Sequence, residues 1–194
     1  LANAEKHKHK PEFQADMLET VQSAVTRMNK VLDQLRRTGA EALESVPLAD
    51  ILRDAVDSKR AFKLRPTLAL PPPDLRVRVE RERLTRAIGH LVQNALEATP
   101  ASGSVSVTGK ASPGWALIEI ADTGSGMDDE FVRTRLFAPF DSTKGAGMGI
   151  GAYECRETLR ALGGAIEVDS QPGAGTRFRL RLPLDDNPQQ GAMA

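Results

Sequence analysis

The chain has 194 residues, 40% of them apolar, which suits one cored domain plus an accessory element. Lys+Arg and Asp+Glu both number 26, and there is one Trp and one Tyr, so neither a basic footprint for nucleic acid nor an aromatic platform for stacking bases is present. The single cysteine, Cys155, excludes an internal disulfide and suits a reducing cytoplasm, and no apolar run reaches the ~20 residues that cross a bilayer.

Residues 1–10, LANAEKHKHK, read as a helix end running into a basic turn. His7 and His9 are two apart, on different helix faces, so they offer no metal geometry and are expected to be solvated. The chain opens on Leu1 without an evident signal peptide, and it is expected to be a piece of a longer protein. A long helix is predicted over 11–37, with Pro11 in its first turn. Leu18, Val21, Val25, Met28, Leu32 and Leu35 recur at spacings of 3 and 4, a heptad seam that wants partner helices. Acidic residues come early (Glu12, Asp16, Glu19) and basic ones late (Arg36, Arg37), as the helix dipole prefers.

Gly39 stops that helix. Residues 46–48 read as a short edge strand, 49–61 as a helix, and 67–70 as a strand blocked by Pro71-Pro72-Pro73. Leu75, Val77 and Val79 alternate with polar residues, the mark of a half-buried strand. Residues 80–98 form a helix with a broad apolar arc of Leu84, Ile88, Leu91, Val92, Ala95 and Leu96. Ala87, His90, Asn94 and Glu97 fall on its other side, so the last three are expected to face one cavity. An amide at Asn94, among apolar neighbours, needs a partner. It either caps a loop or offers its oxygen to Mg²⁺, which takes oxygen ligands alongside phosphates and water.

Residues 104–109 and 115–121 are predicted strands joined by a Ser112-Pro113-Gly114 hairpin. Asp128 or Asp129 caps a short helix around 131–136. A helix over 151–162 holds Cys155 as a structural residue and ends at Gly163-Gly164. A hairpin of 165–169 and 176–182 closes the fold, and a polar tail starts at Asp185.

Six of the 16 glycines lie between Ile120 and Gly151, in two clusters. The first, Asp122-Thr123-Gly124-Ser125-Gly126, follows a strand; the second, 145–151, precedes a helix, with Lys144 just before it. Glycine admits close backbone approach and positive φ. Successive backbone N–H groups at a helix start attract anions. A carboxylate at a strand end accepts from an exocyclic amine. These are parts for a nucleotide, with Asp122 for the base, and Lys144 and the second cluster for phosphates. Neither the P-loop nor the dinucleotide fingerprint occurs.

HLVQNALEAT, DTGSGMD, LFAPFDSTK, GAGMGIG and GTRFRLRLP, in that order, resemble the N, G1, F, G2 and C-terminal boxes of sensor histidine kinases. That family shares an ATPase superfamily with gyrase, Hsp90 and MutL, and the resemblance covers roughly residues 48–183. The long helix resembles the second helix of a kinase dimerisation hairpin, and its wording is most similar to kinases of the PEP-CTERM/exosortase system. The resemblance implies a two-layer α/β sandwich of the Bergerat type, a mixed sheet covered on one face by three helices. It implies a domain over 41–185, preceded by helical-hairpin residues 1–40 and followed by a disordered tail over 186–194. It implies that Asp122 bonds adenine, that Asn94 ligates Mg²⁺, and that Gly124 and Gly126 shape the adenine pocket with support from the Thr176 hydroxyl. Lys144, Gly145, Gly147, Met148, Gly149 and Ile150 would lie along the phosphates of ATP under a lid.

Three departures stand out. The usual phosphoacceptor histidine box is absent, and neither His7 nor His9 matches it, so the fragment is expected to bind Mg-ATP without labelling itself. His90 stands where many kinases have asparagine and hydrolysing relatives have a glutamate that activates water; it is either a base or a polar lining of the nucleotide cavity. Met148 and Ile150 replace leucines common in the second glycine box. The partners implied are ATP, a response regulator and, through the 18–35 seam, a second copy of the chain. The implied place is the cytoplasmic portion of a membrane-bound bacterial kinase. A hydrolysing ATPase, an anti-sigma-factor-type serine kinase and a non-catalytic dimerisation module are the alternatives.

Overall fold

Val105, Val107, Ile118, Ile120, Phe178, Leu180 and Leu182 alternate with polar residues along three strands, so the strands share one apolar face. That face decides the architecture. The computed structural model describes residues 42–139 and 149–185. Its elements are β1 (Glu44–Pro47), α1 (Leu48–Asp57), β2 (Thr67–Ala69), β3 (Arg76–Val79), α2 (Arg81–Ala98) and β4 (Val105–Ser112). They continue with β5 (Trp115–Asp122), α3 (Asp129–Thr134), α4 (Gly151–Ala161), β6 (Ala165–Gln171) and β7 (Gly175–Pro183).

The main sheet has five strands in the order β2-β4-β5-β7-β6, with β2 parallel to β4 and the other pairs antiparallel. β1 and β3 form a separate antiparallel pair. α2 is the central covering helix and packs against α1 on one flank and α4 on the other. Its Leu84, Ile88, Leu91 and Val92 are fully enclosed, each such side chain contributing roughly 1.5–3 kcal/mol. This is the mixed sheet with three helices on one face that the motifs imply. The opposite face carries exposed Arg177, Arg179 and Arg181.

Several boundaries differ from expectation. The first strand starts at Glu44, two residues early, because its partner is the distant β3, with Glu44 opposite Val79. α1 stops at Asp57 rather than residue 61: from Lys59 on the bonds shorten by a residue, with the Lys59 and Arg60 N–H groups donating to the Val56 and Asp57 carbonyls three positions back. α3 starts at Asp129 because the Asp128 carboxylate accepts from Phe131 N at 2.7 Å. Asp185 is not free tail, since its N–H donates to Arg76 O at 3.0 Å. The helix predicted over 11–37 with its seam, His7, His9, Lys144, Gly145, Gly147, Met148 and the tail over 186–194 lie outside the described residues.

Candidate functional site

β5 is apolar on its inner face up to Ile120 and then turns polar, so its next inward residue, Asp122, ends the strand as a carboxylate only 8% exposed. Asp122 Oδ1 accepts from Gly124 N at 2.8 Å, which folds the chain tightly after the strand. Any side chain at Gly124 would collide with the last carbonyl of α2, since a Cβ there falls 2.5 Å from Ala98 O. Ser125 N donates to that same oxygen at 3.1 Å, so the loop also closes the end of α2. Gly126 has φ 65°, and a Cβ there would fall 1.8 Å from Gln171 O. Gly175, at φ 88°, faces Asp122 O in the same way, at 2.0 Å. Main chain thus packs on main chain beneath Asp122.

Thr176 is paired with Asp122 across β5 and β7 and is 7% exposed. Its hydroxyl lies 2.9 Å from Ser170 Oγ, which donates to Gly175 O and accepts from Met127 N. With its one hydrogen spent on Gly175 O, Ser170 accepts from Thr176. Ser170 is a residue that the sequence reading missed. The signal was its register opposite Thr176, which only the β6–β7 pairing fixes.

The other wall comes from α2 and the start of α4. Asn94 is half-buried, and among the described residues its amide makes no hydrogen bond. His90, one turn earlier, has Nδ1 3.2 Å from Glu154 Oε2 on α4. Gly151 lets the ring lie against α4, since a Cβ there would sit 3.0 Å from His90 Cβ. Gly149 has φ 63° and Ile150 precedes the first turn of α4. Arg156 stacks over Phe137 with 5.0 Å to the ring centre and donates to Phe137 O at 3.3 Å, which fixes the F-box turn to α4.

The expectation that His90, Asn94 and Glu97 face one cavity is corrected. Glu97 is exposed and accepts from Gln93 Nε2 at 2.8 Å; Gln93 in turn accepts from Lys59 Nζ at 3.1 Å. Ala87 is 3% exposed and belongs to the core. The reason is that α2 is flanked on both sides, so its polar face is divided between α1 and α4. Burial lowers the Lys59 pKa, and Glu97 pulls it the other way. An open cleft of about 540 Å³ lies between α1 and α2, lined by Lys59 and His90 among others but not by Asn94, Asp122 or Thr176. Cys155 is buried, and its thiol is pushed up to about 12 by desolvation and then by Glu154, as befits a structural residue.

Among the described residues no group of three or more His, Cys, Asp or Glu is arranged to hold a metal ion. The one oxygen of the Asn94 amide suits a hard cation whose other positions would be filled by ligand oxygens and water.

A family model described as histidine kinase-, DNA gyrase B- and HSP90-like ATPase matches residues 79–186. The chain is 30% identical to the alginate biosynthesis sensor protein KinB of Pseudomonas aeruginosa, over 88% of this chain and 31% of that one. It is 32% identical to the C4-dicarboxylate transport sensor protein DctB of Rhizobium meliloti, over 87% and 28%. It is 35% identical to the histidine protein kinase DivJ of Caulobacter vibrioides, over 78% and 26%. The chain therefore spans 26–31% of the length of these relatives. Among solved structures, the catalytic domain of histidine kinase ThkA superposes with a TM-score of 0.63 at 25% identity, covering 74% of this chain and 96% of that one. Full-length ShkA in complex with AMPPNP gives a TM-score of 0.63 at 26% identity, over 84% and 38%. With the family match extending over more than half its residues, this chain belongs to the histidine kinase-, DNA gyrase B- and HSP90-like ATPases.

Proposed function

We propose that this chain is the ATP-binding catalytic portion of a two-component sensor histidine kinase. It moves the γ-phosphoryl group of ATP to a histidine outside these residues, and a response regulator receives it next. The observation that carries this reading is Asp122, a carboxylate 8% exposed at a strand end and steered by Gly124 N. A carboxylate so held accepts from the amino group of adenine and turns away guanine, which presents a carbonyl there. Thr176, supported by Ser170, completes the base pocket. Sensor proteins KinB and DctB and histidine kinase DivJ as relatives, and AMPPNP in the ShkA structure, support it.

Phosphoryl transfer asks for positioning and charge neutralisation more than for covalent chemistry. Asn94, with no partner among the described residues, would hold Mg²⁺ together with phosphate oxygens and water. When bound, the ion offsets phosphate charge. By the resemblance, Lys144 would add a positive charge beside the phosphates, and Gly145, Gly147, Met148, Gly149 and Ile150 would offer backbone N–H groups to them; the start of α4 would add its dipole. His90 borders the terminal phosphate.

The finer reading is a kinase of the PEP-CTERM/exosortase type, supported by the wording of residues 3–36. It is the cytoplasmic portion of its protein and dimerises through the 18–35 seam.

Calorimetric titration with AMPPNP, with and without Mg²⁺, tests the site. Asp122→Asn removes a charged acceptor and should weaken binding by about 1.5–3 kcal/mol, roughly 10- to 150-fold. Asn94→Ala should abolish the Mg²⁺ dependence. A folded wild type that binds no nucleotide, or an Asp122→Asn variant that binds equally well, would overturn the proposal.

A further inference from the structure

One polar contact, between α2 and the start of α4, has no role in this reading. His90 and Glu154 meet at 3.2 Å with side chains 35% and 26% exposed. His90 Nδ1 itself is shut off from solvent and makes no aligned hydrogen bond among the described residues. Glu154 is the acceptor within reach. A buried ring nitrogen that carries hydrogen is stabilised beside a carboxylate, whereas one that presents a lone pair there is repelled. Gly151 supports the arrangement from below: a Cβ at that position would fall 3.6 Å from Nδ1. The two ring nitrogens lie on different edges of an imidazole, so a ring held at Nδ1 turns its Nε2 edge away from Glu154. His90 also borders the open cleft beside α2. Asn94 is one turn further along the same flank of the helix.

We propose that Glu154 is a positioning residue for His90: it holds the Nδ1–H form of the ring, so that Nε2 keeps its lone pair at the rim of the nucleotide site. This deepens the kinase reading and rests on it. An O–H or N–H beside the terminal phosphate donates to Nε2. The carboxylate comes from α4 and acts through the ring.

The test is the tautomer of His90, read in ¹⁵N-labelled full chain by long-range proton–nitrogen spectra near pH 8. His90→Gln identifies its signals by their loss, and N-acetylhistidine in the same buffer is the reference. In wild type, His90 should show protonated Nδ1 and bare Nε2, the reverse of the form that free imidazole favours. Glu154→Gln keeps an acceptor oxygen in place and should preserve the pattern. Glu154→Leu should return the ring to the reference pattern. Mg-AMPPNP should shift the Nε2 signal of wild type and of Glu154→Gln. A wild-type ring that matches N-acetylhistidine, or a pattern unchanged in Glu154→Leu, would overturn the proposal. So would an Nε2 signal that stays still while calorimetry shows the nucleotide bound. Failure of wild type to bind AMPPNP would sink the kinase reading instead, and the tautomer would still decide the pair.

Discussion

Gly126 and Gly114 both hold positive φ, at 65° and 74°, but a Cβ at Gly126 runs into Gln171 O whereas one at Gly114 meets nothing within 4 Å. Gly114→Ala should therefore cost only the left-handed strain, about 1–2 kcal/mol. Gly126→Ala should cost that and a main-chain displacement, at least about 3 kcal/mol. Urea unfolding of the two variants separates the terms, and equal midpoints would contradict the contact. Cys155 gives a pH prediction. Its folded thiol holds its proton up to about 12, while an unfolded thiol releases it near 9.0. Above pH 9 the unfolded state binds fewer protons, so stability falls with rising pH, by about 1 kcal/mol per unit up to about 12. Cys155→Ala should flatten that slope in urea midpoints taken between pH 8 and 10.5. At this scale Asp122, Gly124, Gly126 and Thr176 were legible because each sits in a short local motif. Ser170 and Glu154 were not, because their partners Thr176 and His90 are joined to them only by strand register and helix packing.

Elements that close on themselves were readable. Pro113-Gly114 turns β4 into β5 with Ser112 opposite Trp115, and Gly163 and Gly164 end α4 by donating to Arg160 O and Leu159 O. The β1–β3 pairing was not, because it joins Glu44–Pro47 to the distant Arg76–Val79 with nothing local to announce it. Nor was the division of α2's polar face, which depends on which neighbours flank it. α3 is an extreme case of local control: none of its residues is buried, so the Asp128 cap carries much of its order. Asp128→Ala should loosen it by about 1 kcal/mol. Amide exchange at Val132 and Arg135, which donate within this turn, should then accelerate roughly fivefold while β5 amides stay protected. Exchange that rises throughout the domain would mean that α3 is coupled to the core.

At the scale of the molecule, residues 42–185 carry their own core, and the heptad seam of 18–35 is read from the sequence alone. Sedimentation should find the full chain self-associating at micromolar concentration and a Val25→Asp, Leu32→Asp variant monomeric, with AMPPNP affinity unchanged. A monomeric wild type would remove the seam from the account. The ground beneath Asp122 is main chain meeting main chain at Gly126 and Gly175, where no side chain of any size fits. In a library of all single substitutions under selection for signalling, those two positions should return glycine alone. Position 114 should admit asparagine and aspartate. Lineages in which signalling decays should then lose these two codons as early as the Asp122 codon, although neither glycine touches the nucleotide with a side chain.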